Sequence, residues 1–252
     1  MIPKKLHYCW FGNNPKPKTF QDCLQSWQQF CPDFEIIEWN EKNTQSFANA
    51  FYKNALRKKK YAFVADYIRA KVLFDQGGIY LDTDMLLLKP IDDLLQNNFF
   101  IAEEVKNRIN FAIFGTISNH RFLEQMLNFY NKNEFNGFAP PVITHTFSPV
   151  INQETIVTNE IIFSSDYFYP LLFENRLEDY TKYIQPESYA VHLWDHSWGK
   201  TNAIGFLGLL ENLKTVSIDF LFYGYSFSYF KRYTKEFSRK IIQLAKAKIT
   251  HS

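Results

Sequence analysis

The first ninety residues alternate between short apolar runs and longer amphipathic stretches. Short runs bounded by turn residues are typical of buried strands, and apolar positions three or four apart are typical of helices. A strand–helix–strand rhythm of this kind predicts an α/β sheet. The predicted elements are strands at Leu6–Trp10, Glu35–Trp39 and Ile79–Leu81, and helices at Phe20–Phe30 and Thr44–Leu56.

The best-defined helix precedes the third strand. Val64, Ile68 and Val72 recur at four-residue spacing and give the helix a buried stripe. Gly77 then supplies the left-handed C-terminal cap that most residues resist. The sequence therefore predicts a long helix that ends at Gly77 and leads directly into the strand Ile79–Leu81.

The rest of the chain predicts further strands, one helix and a helical tail. We divide the whole chain into an α/β domain over residues 1–203 and an amphipathic helical extension over residues 204–252. The predicted elements are strands at Met85–Leu88, Phe99–Ala102, Phe111–Gly115, Ile156–Phe163 and Tyr189–Leu193, a helix at His120–Tyr130, and an irregular loop at Phe138–Pro149.

Composition and charge limit the classes of function. The chain is 46% hydrophobic and 21% charged, which suits a substantial core and argues against disorder. From Lys231 onward there are seven basic residues and one acid, whereas the preceding chain holds 21 basic and 25 acidic residues. The body is therefore mildly acidic and the tail basic, a pattern that argues against a nucleic-acid partner.

Cysteine usage and the N-terminus favour a cytoplasmic protein. Cys9, Cys23 and Cys31 are an odd number without paired metal-ligand spacing, which fits a reduced compartment. Met1–Lys5 leads into no long apolar run, so we expect no signal peptide. We also expect no membrane span, because no run of about 18 apolar residues occurs.

Two carboxylates follow the apolar strand Ile79–Leu81. If the strand stayed regular, Asp82 and Asp84 would point to one face. Hard carboxylate oxygens at the end of a buried sheet suit Mg²⁺ or Mn²⁺, with positions left open for phosphate oxygens. The alternative is an ordinary turn between strands, where aspartates are common.

Three other groups are candidates for chemistry. Asp66 and Arg69 share a face of the best-defined helix and are either a ligand-binding pair or an ion pair. Trp10 ends the first strand, where open α/β sheets bind ligands, and core packing is its alternative. His192 and His196 lie in a segment rich in tryptophan and are candidate metal ligands or core histidines.

Three segments together resemble glycosyltransferase family 32, whose sugar-binding region contains a DXD motif and is shared with large clostridial glucosylating toxins. The family resemblance implies a GT-A type nucleotide-binding fold, with a mixed, mostly parallel sheet flanked by helices. It also implies a retaining transferase. The resembling segments are Ile2–Gly12, Ala65–Arg69 and Gly77–Asp84, with a looser match over Ala190–Trp198.

The resemblance also implies roles for single residues. Trp10 corresponds to the aromatic that stacks on the donor base, beside Gly12 in the donor-binding loop. Asp66 and Arg69 correspond to the pair that holds the donor sugar and phosphates. Asp82 corresponds to the carboxylate that contacts ribose, sugar and metal-bound water.

The remaining implied roles concern the metal and the acceptor. The direct metal ligand in this alignment is Asp84, and the candidates to complete and close the donor site come from the tryptophan-rich segment. The acceptor loop has Ala139 where the family usually has glycine. The residues expected to close the site are His192, His196, Ser197 and Trp198, and those on the acceptor side are Pro141 and Thr144.

These features predict a Mn²⁺- or Mg²⁺-dependent hexosyltransferase of bacterial capsule or lipopolysaccharide synthesis. We expect a nucleotide-sugar donor, most readily a UDP-sugar, and a glycan or lipid-linked saccharide as acceptor. The basic tail is either a solvated face or a contact with the anionic inner face of the plasma membrane. Two other classes remain as alternatives. One is a haloacid-dehalogenase-like phosphohydrolase, whose motif normally has Thr or Val two residues after the second Asp, where this chain has Leu86. The other is a non-catalytic carbohydrate-binding protein.

Overall fold

A computed structural model describes residues 1–135, 141–151 and 155–195, together with scattered positions between 210 and 242. The described residues fall into two compact units. The first comprises Met1–Phe135 and Pro141–Asp195, with those gaps, and the positions beyond 195 belong to the second. The division at residues 203 and 204 stays a prediction.

The first unit is built on a six-stranded mixed sheet. Its strands are β1 (Lys5–Cys9), β2 (Glu35–Trp39), β3 (Gly78–Leu81), β5 (Phe99–Val105), β6 (Arg108–Thr116) and β7 (Glu160–Phe163), in the order β2-β1-β3-β6-β5-β7. The pairings make five strands parallel in direction, and β6 alone runs opposite to them. A separate antiparallel pair joins β4 (Met85–Leu87) to β8 (Ala190–His192).

Helices cover both faces of the sheet and create two apolar cores. One core contains side chains of α2, α3 and α4, and the other contains side chains of α1 and β4. The helices are α1 (Lys18–Phe30), α2 (Ala50–Arg57), α3 (Tyr61–Gln76), α4 (Arg121–Lys132), α5 (Ile143–Phe147) and α6 (Ser165–Phe168). The predicted fold class, a mixed and mostly parallel sheet flanked by helices, is therefore confirmed.

Helix α3 ends as its sequence predicts. Gly77 has φ of +64°, and its N–H bonds to the carbonyl of Leu73 at 2.8 Å. A Cβ at Gly77 would lie 2.9 Å from Pro3 Cδ and 2.9 Å from the Ser118 nitrogen. Glycine is required here both for the left-handed backbone and for the close approach of neighbouring atoms.

Three predicted elements differ from the structure. The helix predicted from Thr44 begins only at Ala50, because the Asn49 side chain caps it by accepting a hydrogen bond from the Tyr52 amide. The loop predicted over 138–149 contains the short helix α5. The strand predicted from Ile156 is confined to β7, which pairs with β5.

The positions that the structure describes between 210 and 242 are helical. No helix in the described parts of the chain is long and apolar enough to cross a bilayer. Cys9, Cys23 and Cys31 are buried and free of disulfides.

Candidate active site at the carboxyl edge of the sheet

The run Asp82–Asp84 forms a turn between β3 and β4. The strand therefore does not stay regular there, although the prediction that both carboxylates point to one face requires a regular strand. The Met85 amide donates to the Asp82 carbonyl at 3.0 Å and closes the turn. The Asp82 amide donates to Ala112 of β6 at 2.7 Å, and the Asp84 carbonyl accepts from Leu193 at 2.9 Å. Backbone hydrogen bonds to β6 and to the residue after β8 therefore fix the turn that carries the two carboxylates at the carboxyl end of β3.

Arg69 lies between two carboxylates. Its Nη2 is 3.2 Å from Asp66 Oδ1 and 3.1 Å from Asp82 Oδ1, and its Nη1 donates to the Phe111 carbonyl at 2.8 Å. The guanidinium also lies over the Tyr80 ring, 4.4 Å from its centroid. Among the described residues Arg69 Nε has no hydrogen-bond partner. Helix α3 thus places a buried cation against the DXD turn, and the role of Arg69 in binding a donor stays a prediction.

Burial governs the protonation of this cluster. It raises the pKa of Asp66 to about 7, although Arg69 opposes the shift. It also raises the pKa of Asp82, with Arg69 opposing and Asp84 adding to the rise. The Tyr80 hydroxyl donates to Asp82 Oδ1 at 3.1 Å and favours the ionised form of that carboxylate. Two acids and one cation are thus buried together next to the turn.

His192 is brought to Asp84 by the pairing of β8 with β4. The distance from His192 Nε2 to Asp84 Oδ1 is 3.2 Å, and both side chains are largely buried. Burial lowers the pKa of His192, but Asp84 and Asp82 outweigh it, so the net shift is upward. The Trp194 ring lies 3.9 Å from the His192 ring, centroid to centroid. The structure therefore joins Asp84 to one of the two histidines that the sequence singles out.

The donors present fit a divalent ion that is shared with a substrate. In the part of the chain that the structure describes, no group of three or more His, Cys, Asp or Glu side chains is arranged as a metal cage. Mg²⁺ characteristically uses one or two protein carboxylates and completes its shell with water and substrate phosphates. Asp84 supplies such a carboxylate, and His192 has a buried Nδ1 without a partner among the described residues. The cluster therefore differs from structural metal sites, in which protein side chains alone surround the ion.

The N-terminal candidates lie at the end of β1. The Trp10 ring is 6% exposed and stacks on Phe20 at a centroid distance of 5.8 Å. Its indole N–H donates to the Asn14 carbonyl at 3.1 Å. Gly12 has φ of +85° and donates its N–H to Glu41 at 2.6 Å. Core packing thus accounts for Trp10 in this conformation, and its contact with a donor base stays a prediction.

Among the described residues, the acceptor-side candidates Pro141 and Thr144 make no side-chain hydrogen bond to the cluster, although α5 contacts Phe111 through Phe147. Pro141 is buried and Thr144 lies in α5. The end of that helix packs on β6, where the Ile109 amide donates to Ser148 Oγ at 3.0 Å. His196, Ser197 and Trp198 lie outside the described residues. The roles of these residues stay predictions.

Several residues that contact the cluster are not singled out by any pattern in the sequence. The Phe111 carbonyl holds Arg69, and the Tyr169 hydroxyl bonds to two backbone groups of β6. Glu104 is buried and accepts from Asn110 at 2.8 Å. Tyr80 is the exception, because it stands inside the Gly-Gly-Ile-Tyr-Leu-Asp run that carries the family resemblance.

Comparison with known proteins identifies the same region. Residues 17–101 match the family model described as glycosyltransferase sugar-binding region containing DXD motif. This range includes α3, β3 and the Asp82–Asp84 turn. The family predicted from the sequence is therefore confirmed.

Individual relatives cover parts of the chain. Inositol phosphoceramide mannosyltransferase 3 of Schizosaccharomyces pombe is 27% identical over 55% of this chain and 40% of its own length. Human alpha-1,4-N-acetylglucosaminyltransferase is 29% identical over 64% of this chain and 51% of its own length. The chain thus spans about half or less of these two curated relatives.

A solved structure of the PaToxG glycosyltransferase aligns at a TM-score of 0.46 and 18% identity, covering 60% of this chain and 69% of that one. Residues 17–101, which include the DXD turn and Arg69, are therefore the region that this chain shares with the glycosyltransferase family described by a sugar-binding region containing the DXD motif.

Proposed function

We propose that this chain is a metal-dependent retaining glycosyltransferase that transfers a hexose or N-acetylhexosamine from a nucleotide sugar. The observation that carries the proposal is Arg69, held between Asp66 and Asp82 beside the Asp84–His192 pair. A fixed guanidinium binds phosphate or sugar hydroxyls well. The carboxylates accept hydrogen bonds from sugar hydroxyls.

Asp84 and His192 would hold the divalent ion, with Asp82 beside them. Bound there, Mn²⁺ or Mg²⁺ supplies positive charge that stabilises the leaving nucleoside diphosphate. Tyr80 and Arg69 keep Asp82 oriented, and the Ala112 carbonyl fixes its backbone. The chain's own contribution is therefore a prearranged, partly buried charge pattern against which the donor is placed.

We propose that transfer occurs on one face of the sugar. The bond from the anomeric carbon to the phosphate oxygen breaks, and the acceptor oxygen forms its bond to the same carbon from the same face. The acceptor proton passes to the departing phosphate oxygen. Trapping a covalent sugar on an Asp or Glu of the protein would exclude this front-face route.

For the donor and the acceptor we propose a chemical class and no single compound. The relatives are named as a mannosyltransferase and an N-acetylglucosaminyltransferase, so their names support a hexose-type donor without fixing the sugar. A UDP-sugar is our first choice. We propose a glycan or lipid-linked saccharide of surface polysaccharide synthesis as acceptor.

We further propose a cytoplasmic location with peripheral membrane contact. Leu221, Phe222 and Phe227 of the second unit are 68%, 69% and 64% exposed. Seven basic residues follow within the last 22 positions of the chain. Exposed apolar rings beside Lys and Arg are typical of segments that bind an anionic membrane surface.

The decisive experiment is a panel of UDP- and GDP-sugars, with and without Mn²⁺, scored for hydrolysis and transfer. We expect turnover of one donor in the presence of the metal, and loss of it by at least a hundredfold in Asp84→Ala. Asp22→Ala removes an exposed acid of α1 and serves as the matched control. Metal-dependent turnover that survives Asp84→Ala would contradict the assignment of the site.

A further inference from the structure

Strand β6 leaves its ladder with β5 beside the candidate active site. The pair Phe100–Gly115 is followed by the pair Ala102–Asn110, so one residue of β5 faces four of β6. We call these four residues, Phe111–Phe114, the β6 excursion. Irregularities of this kind occur next to active sites, where they redirect backbone and side-chain groups.

The excursion leaves the pairing with β3 intact. Leu81 stays paired with Ile113, and the Asp82 amide reaches the Ala112 carbonyl at 2.7 Å. In a regular antiparallel strand, alternate residues pair with opposite neighbours. Phe111 and Ile113 would therefore use their backbone groups on β5. In this protein the Phe111 carbonyl accepts instead from Arg69, at 2.8 Å.

A tyrosine hydroxyl occupies the gap in the ladder. Tyr169 Oη accepts from the Ile113 amide at 3.2 Å and donates to the Asn110 carbonyl at 3.2 Å. Its ring is fully buried. One hydroxyl thus bonds to Asn110, just before the excursion, and to Ile113 within it, and replaces contacts that β5 does not make.

A buried acid fixes the other side of the excursion. Asn110 Oδ1 accepts from the Ala112 amide at 2.8 Å, and its Nδ2 donates to Glu104 Oε2 at 2.8 Å. The second oxygen of Glu104 accepts from Arg108 at 2.6 Å. Asn110 is therefore held in the orientation in which its side-chain oxygen satisfies the backbone of the excursion.

We infer that Tyr169 is a positioning residue of the donor site. Its hydroxyl, together with the Glu104–Asn110 pair, holds the β6 excursion in the shape that delivers two consecutive carbonyls to Arg69 and Asp82. Without this support the Phe111 and Ala112 carbonyls have no fixed direction. The two donor-site residues then lose a backbone partner each.

The first test measures geometry without activity. In Tyr169→Phe we expect the Asp82 amide to exchange its hydrogen about tenfold faster, because the carbonyl that it bonds is no longer fixed. Amides of the β1–β2 ladder serve as the internal reference and keep their exchange rates. Tyr167→Phe is the matched control, since this tyrosine precedes Tyr169 by two residues and makes ring contacts. Unchanged protection of the Asp82 amide in Tyr169→Phe would overturn the inference.

The second test uses a reciprocal exchange at the Glu104–Asn110 pair, which supports the same excursion, and it requires no change at Tyr169. Asn110→Asp places two carboxylates together at Glu104, and we expect the same faster exchange at Asp82. Adding Glu104→Gln restores an amide–carboxylate hydrogen bond with the partners reversed. The double variant should recover wild-type exchange within about threefold. Failure of the double variant to recover would count against the role of this pair.

The consequence for binding rests on the proposed function. We expect Tyr169→Phe to weaken binding of the nucleotide sugar about tenfold and to leave the acceptor KM unchanged. A general loss of folding would affect both and would lower the fraction of active protein. If the wild-type chain binds no nucleotide sugar, the proposed function fails, while the exchange measurement still decides the role of Tyr169.

Discussion

At the residue scale, the site depends on charges that are buried together. Arg69 is 5% exposed and contacts both Asp66 and Asp82. Removing one partner from a buried ion pair strands the other charge, whereas the intact pair contributes little net stability. The arrangement is therefore better explained by what it presents to a ligand than by a need to stabilise the fold.

Arg69→Lys tests this explanation. Lysine keeps the charge but cannot contact two carboxylates and a carbonyl through one planar group. We expect nucleotide-sugar affinity to fall at least tenfold, measured by calorimetric titration, and the free energy of unfolding to fall by about 2 kcal/mol. Lys71→Arg on the same helix is the control and should change neither quantity. Equal affinity in wild type and Arg69→Lys would remove Arg69 from the donor site.

His7 makes the protein's stability depend on pH. It lies in β1, fully buried, where Nδ1 accepts from the Trp39 indole at 3.1 Å and Nε2 donates to the Gly77 carbonyl at 2.9 Å. Burial lowers its pKa from 6.5 to about 4. The neutral form is favoured in the folded state, so its contribution is complete above pH 6.5 and is lost as the pH falls towards 4.

We expect His7 to account for a loss of roughly 3 kcal/mol of unfolding free energy between pH 7 and pH 4. Urea denaturation across this range measures it. His120 and His145 also have lowered pKa values, so His7→Gln is compared with wild type and should show a shallower loss. Equal slopes for the two proteins would assign the acid sensitivity to other groups.

At the element scale, local signals were sufficient where one segment determines the structure. The apolar stripe and Gly77 predict the end of α3, and the structure ends the helix there. The assignment of the Asp82–Asp84 run to a donor site stays a prediction. The sequence could not reveal the β6 excursion, because its support comes from Tyr169, more than fifty positions away. It also placed the start of the helix over 44–56 too early, since several polar residues there are suitable caps and only Asn49 acts as one.

Gly77→Ala tests whether the turn from α3 to β3 requires glycine. Alanine at a φ of +64° is strained, and its Cβ would meet backbone atoms of the loop after β6. We expect the free energy of unfolding to fall by about 2 to 4 kcal/mol, measured by urea denaturation. Gln76→Ala, one residue earlier and within the helix, should cost less than about 1 kcal/mol. Similar losses for both variants would show that the turn tolerates a side chain.

At the scale of the whole molecule, charge is distributed unevenly along the chain. The residues before Lys231 carry a net charge of −4 and those after it are strongly basic. An acidic body is repelled by an anionic surface, whereas a basic tail is attracted to it. The proposed membrane contact is therefore assigned to the basic tail and not to the acidic body.

Vesicle binding tests this assignment. We expect the full chain to cosediment with vesicles that contain anionic lipid, and binding to weaken as salt is raised, because each Lys or Arg near the surface contributes about 1 kcal/mol. Deleting Lys231–Ser252 should reduce binding at least tenfold, while nucleotide-sugar binding by the first unit stays unchanged. The triple variant of Lys58, Lys59 and Lys60 to glutamine removes an exposed basic run from the body and is the control. If this control loses as much binding as the deletion, the attraction is general and the tail has no special part in it.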